Sequence, residues 1–289
     1  MNILSTALRQ MPEYQALCNG LASPGASGVT GLASIHRAHV TAALRQDTGR
    51  PILVICQDEL AASRMAEELA GFLGEQPPVF PARELALLGA SSVSRGWEHT
   101  RLGLLSRMAG PGCPVLVTSM EALSLRTIPR QVLVENTVHL AVGGSYDLSE
   151  LLNRLQALGY HRSDLVEGAG QFALRGGILD VYSPGAGAPV RAEFFGDELD
   201  TMGFFDTLTQ RRTENTDQVT LLPTAEVLPQ LHPGGRAGLL QDLRRLQARQ
   251  NRRKHPNEAL LETLARDMET LETDTPFYGA DRYLNLIYP

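Results

Sequence analysis

One short segment has the position, but not the residues, of a phosphate-binding loop. It leads into a predicted helix and reads Gly31-Leu-Ala-Ser-Ile-His36-Arg37-Ala38. A working loop needs two glycines that wrap the phosphates, a lysine that neutralises them and a Ser or Thr hydroxyl for magnesium. Gly31 supplies the first glycine. His36, Arg37 and Ala38 stand where the second glycine, the lysine and the hydroxyl are required. Because Lys254, the only lysine, lies outside any glycine loop, we expect no ATP hydrolysis by this chain.

Other residues with catalytic or metal-binding potential lack the spacing that such chemistry requires. Asp58 and Glu59 follow an apolar strand, as a magnesium-binding pair would, but Asp is also a preferred N-cap, and we favour the cap. The seven histidines form no HxxxH or HExxH pattern, and no serine lies in a GxSxG turn. We therefore predict no catalytic residue, no bound metal and no cofactor.

The most basic segment of the chain spans eleven residues of a predicted helix and its end. It contains Arg244, Arg245, Arg249, Arg252, Arg253 and Lys254. Such a run can bind nucleic-acid phosphates, or it can be a solvated helix face with cations near the helix C-terminus. Because no aromatic side chain is interleaved for base stacking, we favour the solvated face and keep a DNA-binding or DNA-clamping module as the alternative function.

The composition is typical of a soluble globular protein of one or two domains. The 289 residues are 43% hydrophobic and 20% charged, and the net charge is −6, which argues against a protein that coats nucleic acid. The three cysteines are far apart and odd in number, which favours a reducing compartment. No apolar run approaches 18 residues, so we expect a cytoplasmic protein with no membrane partner.

The elements that position these residues change character near residue 126. Before it, strands and helices alternate, which is typical of an α/β fold with a parallel sheet and helices on both faces. The two fully apolar runs predict strands buried on both faces. The predicted strands cover 28–33, 51–56 and 114–119, and the predicted helices cover 35–44, 59–73 and 97–108.

Residues 127–212 predict a small α+β domain. Asp147 and Glu150 have the spacing of a capping box, and short strands at 171–181, 190–195 and 202–205 follow. Helices return after residue 213. We therefore expect three segments. They are a degenerate nucleotide-fold domain at 1–126, the inserted α+β domain at 127–212, and a mostly helical return of the first domain at 213–289. The aromatic-rich end at 276–289 predicts a fragment cut from a longer protein.

Several ordered motif blocks lie between residues 159 and 226. They are Gly159-Tyr-His-Arg162, Gln171-Phe-Ala-Leu-Arg175-Gly-Gly-Ile-Leu-Asp180, Arg191-Ala-Glu-Phe-Phe-Gly-Asp-Glu-Leu-Asp200, Phe205-Asp206-Thr-Leu-Thr-Gln-Arg211 and Leu221-Leu-Pro223-Thr-Ala-Glu226. This region resembles the second domain of the repair protein excinuclease B and the homologous amino-terminal module of bacterial transcription-repair coupling factors. The first 126 residues fit the resemblance more loosely.

Two departures favour the coupling factor over excinuclease B. Excinuclease B is similar to a working ATPase with an intact phosphate loop. It also carries a long aromatic hairpin that clamps damaged DNA. Here the phosphate loop is degraded, and 80–97 is a short connection with one aromatic at each end. In the coupling-factor family this module precedes an RNA polymerase-binding domain and an ATP-driven DNA translocase. RNA polymerase and DNA would therefore be partners of parts absent from this chain.

The resemblance implies a non-catalytic module that docks excinuclease A, the partner of excinuclease B, and recruits nucleotide excision repair to RNA polymerase stalled at DNA lesions. Arginines of the small domain carry that contact in the family. Arg162 and Arg175 match their positions, and we place Phe172 with them, whereas Ala173 stands where excinuclease B has a further arginine. We expect hairpin-like pairing to bring both arginines to one face of the sheet. Gly176-Gly177 would permit a bulge or a close approach by the partner. The alternatives are that Arg175 is satisfied within its own sheet and that Arg162 is a solvated charge.

Overall fold

A computed structural model describes residues 3–83, 96–110, 112–273, 277 and 279–289. The chain divides into two compact units, 1–82 with 110–125 and 83–109 with 126–289. The predicted boundaries at 126 and 212 stay a prediction. Most of the short connection at 80–97 lies outside the described residues.

The helices and strands of the described residues are numbered in chain order. The helices are α1 (Ile3–Arg9), α2 (Pro12–Gly20), α3 (Ser34–Thr48), α4 (Glu59–Leu73), α5 (Gly96–Ala109), α6 (Met120–Ser124), α7 (Arg130–Glu135), α8 (Leu148–Ala157), α9 (Gly235–Asn251), α10 (Glu258–Glu272) and α11 (Leu284–Ile287). The strands are β1 (Ile52–Cys56), β2 (Val79–Phe80), β3 (Val115–Ser119), β4 (Val138–Ala141), β5 (His161–Arg162), β6 (Gln171–Arg175), β7 (Ile178–Val181), β8 (Val190–Phe195), β9 (Glu198–Phe205), β10 (Arg212–Asn215) and β11 (Gln218–Leu221).

The first unit contains a parallel sheet in the order β1-β3-β2. Helices α3 and α4 pack together and against the sheet through small and aliphatic side chains. Asp58 caps α4, since its carboxylate accepts a hydrogen bond from the Ala61 N–H at 2.8 Å, as the sequence predicted. The mixed α/β class is therefore confirmed, while the narrower assignment to a degenerate nucleotide-binding fold stays a prediction.

Of the strand predictions in this unit, one is wrong and another is wrong in part. Every residue of β3 is buried, but burial alternates along β1, where Leu53 and Ile55 are each 46% exposed. An apolar run cannot report whether a second layer covers its other face. Residues 28–33 form no strand, because Gly31 adopts a left-handed φ of +80° that interrupts an extended run.

The second unit contains a six-stranded sheet in the order β10-β9-β8-β7-β6-β5. Neighbouring strands are antiparallel from β10 to β6, whereas β5 runs parallel to β6. Helix α8 is capped by Asp147, whose carboxylate accepts from the Glu150 N–H at 2.9 Å, and packs on one face of the sheet. Strand β11 returns to pair with β4, with Leu221 opposite Val138.

The rest of this unit is mainly helical. Its core joins α5, α7, α9, α10 and the chain end. Asp267, on α10, accepts hydrogen bonds from Arg282 at 2.8 Å and from the Tyr283 hydroxyl at 2.6 Å, which fastens the final segment to that helix.

A buried ion cluster lies within this helical part. The carboxylate of Glu226 is fully buried and contacts two buried arginines, Arg83 at 2.7 Å and Arg101 through its Nε. The Glu226 N–H donates to the Glu98 carboxylate at 2.8 Å, and the Tyr288 hydroxyl donates to the Glu226 carbonyl at 2.8 Å. Residues far apart in the sequence therefore meet at one carboxylate.

Candidate interaction surface on the small sheet

The six-stranded sheet has one face against α8, and its other face is partly covered by a small cluster of Val166, Ala173 and Phe205. The strand register puts Phe172, Leu179 and Ala192 on the core face with α8. Side chains alternate between the two faces along a strand. Arg175 is three residues after Phe172, and Asp180 is one residue after Leu179, so both lie on the opposite face, which we call the outer face. The predicted binding arginine is thus on the face that α8 leaves open.

Asp180 anchors the charges of the outer face. It is only 1% exposed, and Arg191 on β8 donates to both of its oxygens, at 2.7 and 2.8 Å. The Arg191 guanidinium also lies over the Phe205 ring, 4.7 Å from its centroid. The hydrogen bond with Asp180 raises the pKa of Arg191 despite partial burial. Arg191 therefore stays charged and is held in place by Asp180.

Arg175 is the second cation at this carboxylate. Its Nη2 contacts Asp180 at 2.6 Å, but its side chain remains 49% exposed. Arg191 already donates to both oxygens of Asp180. The carboxylate therefore orients Arg175 through its Nη2 while the guanidinium stays half exposed. Its remaining donors can pair with a carboxylate of a partner.

Arg175→Ala should therefore change the free energy of unfolding by less than about 1 kcal/mol, because it removes a half-exposed ion pair and leaves the Arg191–Asp180 pair intact. Urea unfolding followed by circular dichroism would measure the change. A loss above about 2 kcal/mol would show that Arg175 is chiefly a structural residue of its own sheet.

An exposed aromatic residue lies at the same end of the sheet. Arg175 is opposite Ile178 on β7, and Ile178 is opposite Glu193 on β8. Phe195, at the end of β8, is 85% exposed, whereas its neighbour Phe194 packs with the core. We call Arg175, Ile178, Glu193 and Phe195 the outer-face patch. The sequence signal for it was available, since two adjacent phenylalanines in a strand cannot both face the core.

The turn between β6 and β7 packs closely against β8 at this end of the sheet. The Phe194 N–H donates to the Gly177 carbonyl at 2.7 Å, and a Cβ on Gly177 would lie 2.6 Å from the Phe194 carbonyl oxygen. Gly176, with φ of +62°, makes the turn itself. The close approach predicted for this glycine pair is therefore made by the chain's own β8.

Arg162 does not share a face with Arg175, so the predicted hairpin-like pairing is wrong. Strand β5 runs parallel to β6 and places Arg162 opposite Phe172, on the face that Arg175 does not occupy. A backbone crossover, rather than a tight turn, separates the two strands. Arg162 is exposed at the edge of the sheet and makes no ion pair within the described residues.

Phe172 is not available to a partner. It is 1% exposed and lies in the core between the sheet and α8. Its place in the motif block misled the prediction, since a residue three positions before Arg175 in a strand must face the other way. Phe172 supports the sheet that presents Arg175.

The degraded phosphate loop forms a small cavity in the first unit. The cavity measures about 260 Å³ and is lined by residues 29–32, Arg37 and the next turn of α3. Arg37 donates through Nε to the Leu32 carbonyl at 3.2 Å, and Ala38 is buried in the core that α3 forms with α4 and the sheet. His36 is exposed and does not line the cavity. Gly31 and Arg37 meet there, but Ala38, at the position of the magnesium-binding hydroxyl, does not line the cavity.

We expect millimolar magnesium ATP to leave the melting temperature unchanged relative to matched ionic strength. Ligand at 100 times its Kd stabilises a protein by about 2.7 kcal/mol, so micromolar affinity would raise the melting temperature by several degrees. A rise of that size in a thermal melt would contradict the prediction.

Metal ligands and membrane-spanning helices are both missing from the part of the chain that the structure describes. In these ranges no group of His, Cys, Asp and Glu side chains has a metal-binding arrangement. Nor does any helix there combine the length and the apolar character that crossing a bilayer requires.

Comparison with known proteins agrees with the motif blocks. Residues 138–226 match a family model described as the UvrB interaction domain. A transcription-repair-coupling factor of Myxococcus xanthus is 37% identical over 206 residues, covering 68% of this chain and 17% of that protein. The Bacillus subtilis factor is 26% identical over 296 residues, covering 100% of this chain and 25% of that protein. The Mycobacterium tuberculosis factor is 35% identical over 182 residues, covering 61% of this chain and 15% of that protein.

The chain spans no more than 25% of the length of these relatives. The family match contains β4–β11, including the whole outer-face patch. The resemblance that the motif blocks indicated is confirmed: this chain is a relative of the transcription-repair-coupling factors and corresponds to their amino-terminal, excinuclease-B-like module.

Proposed function

We propose that this chain is a non-catalytic docking module for excinuclease A. It would serve a factor that brings nucleotide excision repair to RNA polymerase stalled at DNA lesions. The observation that carries the proposal is the outer-face patch, because it lies inside the region similar to the UvrB interaction domain. RNA polymerase binding and ATP-driven translocation on DNA would belong to other parts of a full-length factor.

The chemistry of the patch suits a protein partner. Binding energy in protein interfaces is concentrated in a few aromatic and arginine residues surrounded by a polar rim. Phe195 offers a nearly fully exposed ring, and Ile178 adds apolar surface beside it. Arg175 supplies a planar fork that Asp180 already orients, so little side-chain entropy is lost on binding. We expect the partner to present an apolar recess flanked by a carboxylate.

Arg162 has a smaller part in this proposal. It lies at the β5 edge and on the other face, so one flat partner surface cannot cover it together with Arg175. A partner that reaches around the edge of the sheet would contact both. We therefore expect Arg162→Ala to weaken binding less than Arg175→Ala does.

The experiment measures the affinity of this chain for purified excinuclease A without DNA. Arg175→Ala should cost about 2–5 kcal/mol if it leaves a buried partner carboxylate unpaired, and Phe195→Ala should cost about 2 kcal/mol, roughly a 30-fold loss. Isothermal titration calorimetry measures both values.

Matched controls lie at the opposite end of the sheet. Leu208→Ala removes an equally exposed apolar side chain in the turn after β9, and Arg211→Ala removes an exposed arginine. Neither should change the affinity. If the chain does not bind excinuclease A, or if Arg175→Ala and Phe195→Ala both bind normally, the proposal is overturned.

A further inference from the structure

The end of α9 carries a concentration of positive charge that docking does not use. We define the basic cluster as Arg249, Arg252, Arg253 and Lys254. All four residues are exposed. No Asp or Glu occurs from 243 to 257, although the chain as a whole has a net charge of −6. The charge is therefore local rather than a property of the whole surface.

The basic cluster differs from the arginines that precede it. Arg244 pairs with Glu272 at 2.7 Å, and Arg245 pairs with Asp242 at 3.0 Å. Within the described residues no side chain of the basic cluster makes an ion pair, although Glu258 opens the next helix a few residues later. Four cations thus remain available to an outside anion.

Interaction with the helix dipole explains only part of the cluster. Cations stabilise a helix C-terminus when they lie in its last turn, and Arg249 does. Arg252, Arg253 and Lys254 lie beyond Asn251, where α9 ends. The buried side chains Leu239 and Leu243 hold α9 itself in the core, and the cluster lies at the end of that helix.

The surroundings favour a polyanion over a protein. Stable protein interfaces need apolar or aromatic anchors, as in the outer-face patch. Among the described residues that follow Leu208 in the chain, which include all of α9 and α10, no large hydrophobic side chain is exposed. Phosphodiester backbones, in contrast, draw much of their binding from Arg and Lys contacts and need no apolar anchor.

We propose that the basic cluster binds the phosphate backbone of nucleic acid without reading its sequence. The absence of an aromatic residue between Arg249 and Lys254 leaves nothing for base stacking, so lesions and mismatches should not matter. This surface is separate from the outer-face patch and is independent of docking.

The experiment follows fluorescence anisotropy of a short, undamaged DNA duplex with the whole chain. For about four phosphate contacts the slope of log K against log[salt] should be about −3.6, so affinity should fall about 100-fold between about 50 and 200 mM salt. The variant Arg249→Gln/Arg252→Gln/Arg253→Gln/Lys254→Gln should lose nearly all of the binding measured at low salt and most of the salt dependence.

A matched variant removes four positive charges outside the basic cluster. It uses exposed arginines that make no ion pair within the described part of the chain. It carries Arg64→Gln, Arg107→Gln, Arg211→Gln and Arg266→Gln. This variant should retain binding within about threefold. Equal loss in both variants, no binding at low salt, or binding of polyglutamate but not of duplex would overturn the proposal. The cluster variant should bind excinuclease A normally, so failure here is distinguishable from failure of docking.

Discussion

Glu226→Ala should lower the free energy of unfolding by about 3–5 kcal/mol, because it removes the buried carboxylate that Arg83 and Arg101 share, while Arg83 keeps a longer contact, 3.6 Å, with Asp281. Arg101 is fully buried and Arg83 nearly so, and neither can turn its guanidinium to water without opening the helical core. Urea unfolding followed by circular dichroism would measure the loss. The stability of Glu226→Gln should fall between that of the unchanged chain and that of Glu226→Ala, since glutamine keeps the shape of the side chain and some hydrogen bonds but not the charge.

A matched control removes a glutamate from the surface. Glu193 contacts Arg212 at 3.4 Å, and both side chains are substantially exposed. Because water screens this pair, Glu193→Ala should cost less than about 1 kcal/mol. If Glu226→Ala costs no more than Glu193→Ala, the buried cluster does not stabilise this unit.

Asp180→Ala should cost roughly 2–3 kcal/mol, less than the loss at Glu226, because Arg191 retains some access to water when its partner is removed. Asp180 accepts hydrogen bonds from Arg191 at 2.7 and 2.8 Å and from Arg175 at 2.6 Å. Thermal or urea unfolding would measure the change. Asp180→Asn should cost less, since an amide oxygen still accepts one of these bonds.

This substitution should also weaken docking. Without Asp180 the Arg175 side chain is no longer held in one orientation, so binding must supply the ordering entropy. Asp197→Ala, in the exposed β8–β9 turn, serves as the control and should leave both stability and affinity nearly unchanged. Full stability in Asp180→Ala would contradict the role assigned to this carboxylate.

Local chemistry made several elements predictable from the sequence. Asp58 and Asp147 were recognised as caps because an N-cap depends on residues within one turn. The exposed face of β1 and the parallel pairing of β5 were not predictable in this way. Both depend on which distant segments pack beside the strand, and neither leaves a local signature.

The candidate site was predicted in part for the same reason. Arg175 was found through its motif, and strand alternation would have excluded Phe172 and indicated Phe195. The cluster at Glu226 had no such signal, because Glu226 lies more than a hundred residues after both Arg83 and Arg101 in the sequence. Only the fold shows that they meet.

The two edges of the six-stranded sheet also bear on how this module behaves at high concentration. The edge strand β5 has two residues, and β10 has four, all exposed and including Arg212 and Glu214. Short, charged edges are poor templates for a further strand from another chain. Arg162 therefore has a use that requires no partner: on this short edge strand its charge disfavours edge-to-edge joining of two copies of the sheet.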